Sequence, residues 1–125
     1  MAGVTLDAGG LIALDRDDRR VIVLLARARQ TGAPVTVPAS ALAQAVRKPE
    51  HQARLSRLVR QPTTQVANLD RVDATSVGRL LAASGTSDIA DAHVVICARR
   101  AGQPVVTSDP GGLSRLDPSL TLITV

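Results

Sequence analysis

The sequence predicts an α/β protein, a three-layer α/β/α sandwich around a mostly parallel central sheet. Short apolar runs alternate with helical patterns from one end of the chain to the other, the pattern of a parallel sheet covered by helices. The length, 125 residues, fits a single domain over 1–125 with a sizeable core. That core must be aliphatic, because the chain has no Phe, Tyr or Trp.

The elements follow in order. Residues 4–6 form a first strand, and Gly9-Gly10 after Asp7 is expected to let the backbone turn tightly. Residues 11–14 suggest a short helix that ends in the charged turn 15–18. Asp18 is placed to cap a helix to about Arg29, where Val21, Leu24, Leu25 and Ala28 have helical spacing. Gly32 stops that helix, Pro34 cannot continue it, and 35–37 is the second strand. Residues 38–46 form a third helix with Ser40 as cap, broken by Pro49. A fourth helix spans 50–60, with Leu55, Leu58 and Val59 apolar, and Pro62 ends it. A strand at 64–69 follows. Asp70 or Asp73 then caps a helix that runs through Leu80 and Leu81 to Gly85. Thr86 and Ser87 cap the longest helix, to about Arg100, which Gly102 ends. Residues 105–107 form a strand, 112–116 a helical turn and 120–125 a last strand. There is no internal repeat, low-complexity tract or linker.

Composition narrows the function. Without aromatic rings, binding that stacks bases on side chains is excluded, so a nucleic acid must be held by charge and hydrogen bonds. The net charge is +4 and Lys48 is the only lysine. Arginine pairs with phosphate in bidentate fashion, which suits a phosphate-rich partner; an arginine- and alanine-rich proteome produces the same bias. Cys97 is the only cysteine, so no intrachain disulfide forms, and its stretch Val94-Val95-Ile96-Cys97-Ala98 reads as a small buried hydrophobe. There is no charged-then-apolar leader and no apolar stretch of spanning length, so a soluble cytoplasmic protein without membrane contact is expected.

Four aspartates carry the functional argument. Asp7 closes the first apolar run, Asp109 follows Val105-Val106-Thr107, and Asp88 and Asp91 open the longest helix. If the runs are parallel strands, all four meet at the sheet edge where open α/β proteins bind ligands. Each has a structural explanation alone: acids stabilise a helix N-terminus, and aspartate is a common turn former. Their convergence is better explained by one shared site. Crowded carboxylates repel unless a cation compensates them, and Mg²⁺ or Mn²⁺ prefers such oxygen ligands. An ion held this way polarises a phosphodiester and activates water. No Ser/His/Asp or Cys/His set competes, and His51 and His93 show no metal-ligand spacing.

These residues resemble a known pattern. Leu6-Asp7-Ala8-Gly9-Gly10-Leu11-Ile12-Ala13-Leu14, Val37-Pro38-Ala39-Ser40-Ala41-Leu42-Ala43, and Asp91-Ala92-His93-Val94-Val95 running on to Val106-Thr107-Ser108-Asp109 together resemble the PIN-domain ribonucleases, the family of VapC-type toxins of toxin–antitoxin pairs. The resemblance spans essentially the whole chain. It implies a PIN-like fold and a Mg²⁺- or Mn²⁺-dependent endoribonuclease. Asp7, Asp91 and Asp109 match the family's metal-binding acids, and Asp88 an accessory acid. It also implies a homodimer and a small antitoxin that inserts a segment, often carrying arginine, into the acidic pocket. One departure is Leu42-Ala43-Gln44, where the family usually has glutamate; glutamine keeps a carbonyl acceptor but loses charge.

Around the acids, Gln44 is an accessory candidate that would place a water or phosphate. Ser40 and Thr107 are further accessory candidates, for hydrogen bonds to the acids or to a metal-bound water, with a helix cap and an ordinary strand residue as their plain readings. Arg47, Lys48, Arg54 and Arg57, with Arg60, are the candidate RNA track, or a solvated helix face. Two rivals stand. One is a PIN-like binding module impaired in catalysis by Gln44. The other is a receiver-like signalling domain, which would need a lysine after a late strand, where Lys48 does not lie. The number of ions, and RNA against DNA as substrate, stay open.

Overall fold

The computed structural model describes residues 3–125. The chain runs β1 (Val4–Leu6), α1 (Ala8–Asp15), α2 (Arg19–Thr31), β2 (Val35–Pro38), α3 (Ala39–Ala45), a 3₁₀ turn (Pro49–His51) and α4 (Ala53–Val59). It continues with β3 (Thr64–Ala67), α5 (Arg71–Ser84), α6 (Ile89–Ala101), β4 (Val105–Thr107), α7 (Pro110–Leu116) and β5 (Leu122–Thr124). The five strands form one sheet in the order β3-β2-β1-β4-β5, and every pairing is parallel. The expected mostly parallel sheet is therefore wholly parallel.

The three inner strands are buried along their full length, whereas the edge strands β3 and β5 are partly exposed. Burial on both faces is why the inner strands read as continuous apolar runs rather than alternating ones. Val4, Leu6, Val37, Val105 and Val106 from the sheet pack with Leu11, Val21, Val94, Val95 and Leu113 from the helices in an aliphatic core. No single helix is long and apolar enough to cross a membrane.

Aspartate side chains cap four of the helices, and a fifth aspartate, Asp109, stands before α7 without a side-chain cap bond. Asp7, Asp18, Asp70 and Asp88 cap α1, α2, α5 and α6, each carboxylate accepting a backbone N–H of the first turn. Such a cap is worth about 1 kcal/mol. Gly85 and Gly102 end α5 and α6 in the left-handed conformation that glycine adopts without strain.

Several local expectations are corrected. Ser40 does not cap α3; Pro38 occupies the cap position and Ser40 lies inside the helix. Asp88, rather than Thr86 or Ser87, caps α6. Of the two candidates for α5, Asp70 caps and Asp73 is buried within the first turn. The expected helix over 50–60 divides into the 3₁₀ turn and α4, and Gln52 lies between them. The side chain of Gln52 accepts from the N–H groups of Arg47 and Lys48 and donates to the Ala45 carbonyl, which fixes this bend. Gly9 and Gly10 do not make a turn. They form the first turn of α1, where a Cβ at Gly9 would meet Ser108 Oγ at 2.2 Å and one at Gly10 the Val106 carbonyl at 2.6 Å. The pair lets α1 sit directly on β4.

Gly10→Ala is therefore expected to lower stability by about 1–3 kcal/mol, because rigid backbone occupies the space its methyl needs. Gly78, exposed in α5 with nothing within 4 Å of its notional Cβ, is the control. Gly78→Ala should raise stability by about 0.5–1 kcal/mol. Urea unfolding of the two variants beside the parent chain measures both.

Candidate active site at the sheet edge

The connections leave the sheet in one direction from β1, through β2 to β3, and in the other from β4 to β5. The C-terminal ends of β1 and β4 thus flank the switch point where a crevice opens. Asp7 follows β1 directly, and Asp109 lies two residues beyond β4. Helix α6 packs against β1 and β2, and its start brings Asp88 and Asp91 to the same place.

The four carboxylates feel one another. Asp91 is pushed up to about 6, first by burial and then by the charges of Asp88, Asp7 and Asp109. Asp7 is buried and also raised, chiefly by desolvation, with a smaller contribution from Asp109. Hydrogen bonds oppose that rise: the Thr107 hydroxyl and the N–H groups of Gly10 and Gly9 donate to Asp7. The Gly10 bond is 2.7 Å long. Thr107 is fully buried, and its hydroxyl oxygen also accepts the Asp109 N–H at 2.9 Å. It therefore ties the two strand-end acids together, a role that a plain strand residue would not have. Asp88 accepts the Asp91 N–H at 2.9 Å and is exposed, as is Asp109.

Gly112, in α7, faces this cluster. A Cβ there would lie 3.1 Å from Asp91 Oδ2 and 3.2 Å from Asp109 Oδ2, so the glycine keeps open the space between the two carboxylates. Among the described residues, no Lys, Arg or His makes an ion pair with Asp7, Asp88, Asp91 or Asp109. The donors here are all carboxylates, the type a hard divalent cation prefers, whereas the described side chains that already stand within 4.8 Å of one another as possible ligands lie elsewhere, at Asp73, His93 and Cys97.

The accessory candidates divide. Gln44 is exposed on α3, which packs on α1 and α6, and it makes no hydrogen bond among the described residues. Ser40 bonds to none of the acids: its hydroxyl pairs with Nδ1 of the fully buried His93. His93 Nε2 lies 3.4 Å from Asp73 Oδ2, and Arg100 closes on the other Asp73 oxygen. Asp73, His93 and Cys97 form a buried group, flanked by Ser40 and the exposed Arg100, that sequence reasoning missed, and the three are placed so that they could hold a metal. The expectation that His93 lacks metal-ligand spacing is thereby corrected. The signal was present in the i, i+4 pair His93 and Cys97, but the third member comes from α5. Cys97 is buried, as expected of a small hydrophobe, and burial pushes its thiol up to about 11.

The basic candidates are dispersed. Arg47 folds back onto the carbonyls of Ala43 and Val46, Arg54 pairs with Asp17 at 2.6 Å, and Arg57 reaches the Ala53 carbonyl. Lys48 is exposed. Arg54 and Arg57, with Arg29, border an apolar groove of about 240 Å³ lined by Leu14, Ile22, Leu25 and Leu58, and none of the four aspartates lines it.

Known structures share this architecture. A chain of VapBC2 from Rickettsia felis, bound to a DNA fragment from their promoter, superposes with a TM-score of 0.67 at 14% identity over 98% of each chain. FitAcB from Neisseria gonorrhoeae gives a TM-score of 0.64 at 16% identity, over 97% of this chain and 96% of that one. FitAB bound to an IR36 DNA fragment gives 0.64 at 14%, over 97% and 94%. No protein-family model matches the chain, and no curated protein matches it. The fold is thus a PIN-like α/β sandwich. The identification as a VapC-type toxin of the PIN-domain ribonuclease family is corrected. At 14–16% identity to complexes of two components, the likeness extends to the fold and not to membership. The motifs that prompted it were three short segments, at 6–14, 37–43 and 91–109, read for their order and spacing.

The raised Asp91 carboxyl has a consequence for stability. Between pH 3.8 and about 6 the folded chain binds the Asp91 proton and the unfolded chain does not. Stability therefore falls as pH rises through that window. Asp91→Asn should raise stability above pH 6 by about 1 kcal/mol, less than the full shift because the half-exposed group is screened by solvent. The gain should vanish at acidic pH, as urea unfolding at a series of pH values would show.

Proposed function

We propose that this protein is a metal-dependent endoribonuclease, the toxin component of a toxin–antitoxin pair. The observation that carries this reading is the mutual influence of the charges of Asp7, Asp88, Asp91 and Asp109, none of which makes an ion pair with a basic side chain among the described residues. Asp7, Asp91 and Asp109 would hold Mg²⁺ or Mn²⁺, with Gly112 leaving room. Such an ion, when bound, polarises the phosphodiester and lowers the pKa of the attacking water.

The chain's own residues set the stage for that chemistry. Thr107 and the start of α1 hold Asp7 in one orientation. Asp88 fixes the backbone at Asp91 and adds negative charge. Gln44 offers its carbonyl to a water or phosphate from α3. Ser40 acts through His93 to position α3 on α6 rather than touching substrate. Arg47, Lys48, Arg54 and Arg57 supply phosphate contacts; the exposed Arg54–Asp17 pair holds Arg54 by only about 0–1 kcal/mol, so it is readily released. The partner is a small antitoxin with a cationic segment complementary to the acidic crevice. We also propose that residues 1–125 are one domain and that the protein works in the cytoplasm as a homodimer.

A second reading is a PIN-like RNA- or protein-binding module with impaired catalysis. Gln44, exposed, uncharged and without a hydrogen bond among the described residues, is the observation that favours it.

Partner-free protein incubated with structured RNA and Mn²⁺, Mg²⁺ or EDTA separates the two. The nuclease reading expects cleavage that needs the metal and drops about 100-fold or more in Asp91→Asn, since loss of even an outer partner at a metal site costs 10–100-fold. A folded protein that cleaves with neither ion would overturn it in favour of the binding module. DNA of the same sequence, run in parallel, fixes the substrate class.

A further inference from the structure

Asp73, His93 and Cys97 play no part in the chemistry of the acidic crevice. Their exposures are 3%, 0% and 2%, and one ligating atom from each lies within 4.8 Å of the others. We propose that these three side chains form a second metal site, separate from the carboxylate crevice, for zinc or a cation of similar softness.

Helix geometry builds the site. His93 and Cys97 are four residues apart on α6 and so project from one face. Asp73 comes from α5, which packs against α6. The ring of His93 is already oriented: Ser40 takes Nδ1, which leaves Nε2 facing Asp73. Arg100 takes one Asp73 oxygen, which leaves Oδ2 facing His93. Hydrogen bonds of this kind, from the far side of each ligand, are what fix metal ligands in place.

The 3.4 Å gap between Nε2 and Oδ2 is long for a hydrogen bond, whose usual length is about 2.9–3.0 Å. It matches two donors bound to one ion. Ligand distances of 2.0–2.2 Å at a tetrahedral angle place N and O about 3.3–3.5 Å apart. The donor set selects the ion: thiolate and imidazole favour zinc over Mg²⁺ or Mn²⁺, which belong with the all-carboxylate crevice. Binding would transfer the Cys97 thiol proton to solvent. The two negative ligands would balance the ion's charge and leave a fourth position for water. Arg100, 58% exposed at the rim, is the side chain that would move to admit the ion. A filled site would clamp α5 to α6 just past Asp91 and, through Ser40, hold α3.

The alternative is a network complete in itself, because every buried side-chain polar atom among the described residues has a partner. Cobalt(II) distinguishes the two on the full chain. Cys97 is the only cysteine, so a thiolate-to-cobalt charge-transfer band can arise nowhere else. The site predicts a near-ultraviolet band that saturates at one equivalent, is abolished by stoichiometric Zn²⁺ and survives excess Mg²⁺. The band should be absent in Cys97→Ala and kept in Asp7→Asn, with folding of both checked by circular dichroism. Folded parent protein that shows no such band, or a band that Zn²⁺ does not displace, overturns the proposal in favour of the hydrogen-bonded network.

Discussion

Two parallel strands that lie side by side, but whose connections leave the sheet in opposite directions, open a crevice beyond their C-terminal ends. In this chain the strands are β1 and β4, and the crevice edge is built from carboxylates. Burial and mutual repulsion both raise the free energy of the ionised cluster, as the elevated Asp7 and Asp91 carboxyls record. The surrounding structure is arranged around that cost. Thr107 donates to Asp7 and accepts from Asp109, α1 directs its first N–H groups at Asp7, and Asp88 anchors the turn that carries Asp91. Even the glycines obey it: Gly9 and Gly10 bring α1 onto β4, and Gly112 keeps the space between Asp91 and Asp109 clear.

The same helix that presents Asp91 to the crevice carries a polar group on its inner side. Residues 92–95 of α6 are all buried, and within that stretch His93 links α3 through Ser40 and α5 through Asp73. Burying a histidine and an aspartate is costly unless their hydrogen bonds are satisfied. Here each ring nitrogen and each carboxylate oxygen has a partner. One helix thus serves both: its first turn carries Asp91 and its buried face carries His93.

Much of this was legible in the sequence, for local reasons. Helix starts and stops are written in single residues: Asp18 and Gly32 bracket α2, and Gly102 ends α6. The strands show as apolar runs because both their faces are buried. The acids' place at one sheet edge followed from reading the apolar runs as parallel strands, whereas the strand order that makes it a switch point came from the structure. The illegible parts depend on distant residues. Ser40 looked like a cap, but its partner His93 lies 53 positions away. Asp73 looked like an alternative cap, and its true contacts are on α6. Gly9-Gly10 looked like a turn because only the packed structure reveals the Val106 carbonyl beside it. The family identification failed for a related reason. Short motifs carried it, and at 14–16% identity the similar solved structures share the fold alone.

The account stands on the claim that the four aspartates are a cation site rather than four separate caps and turns. Mn²⁺ binding to the partner-free protein, followed by electron paramagnetic resonance as loss of the free-ion signal, tests it most directly. The account predicts saturable binding that Mg²⁺ displaces and that weakens by about tenfold or more in Asp109→Asn, a residue that makes no side-chain cap. Folded protein that leaves the Mn²⁺ signal unchanged, or binding that Asp109→Asn does not alter, would contradict it.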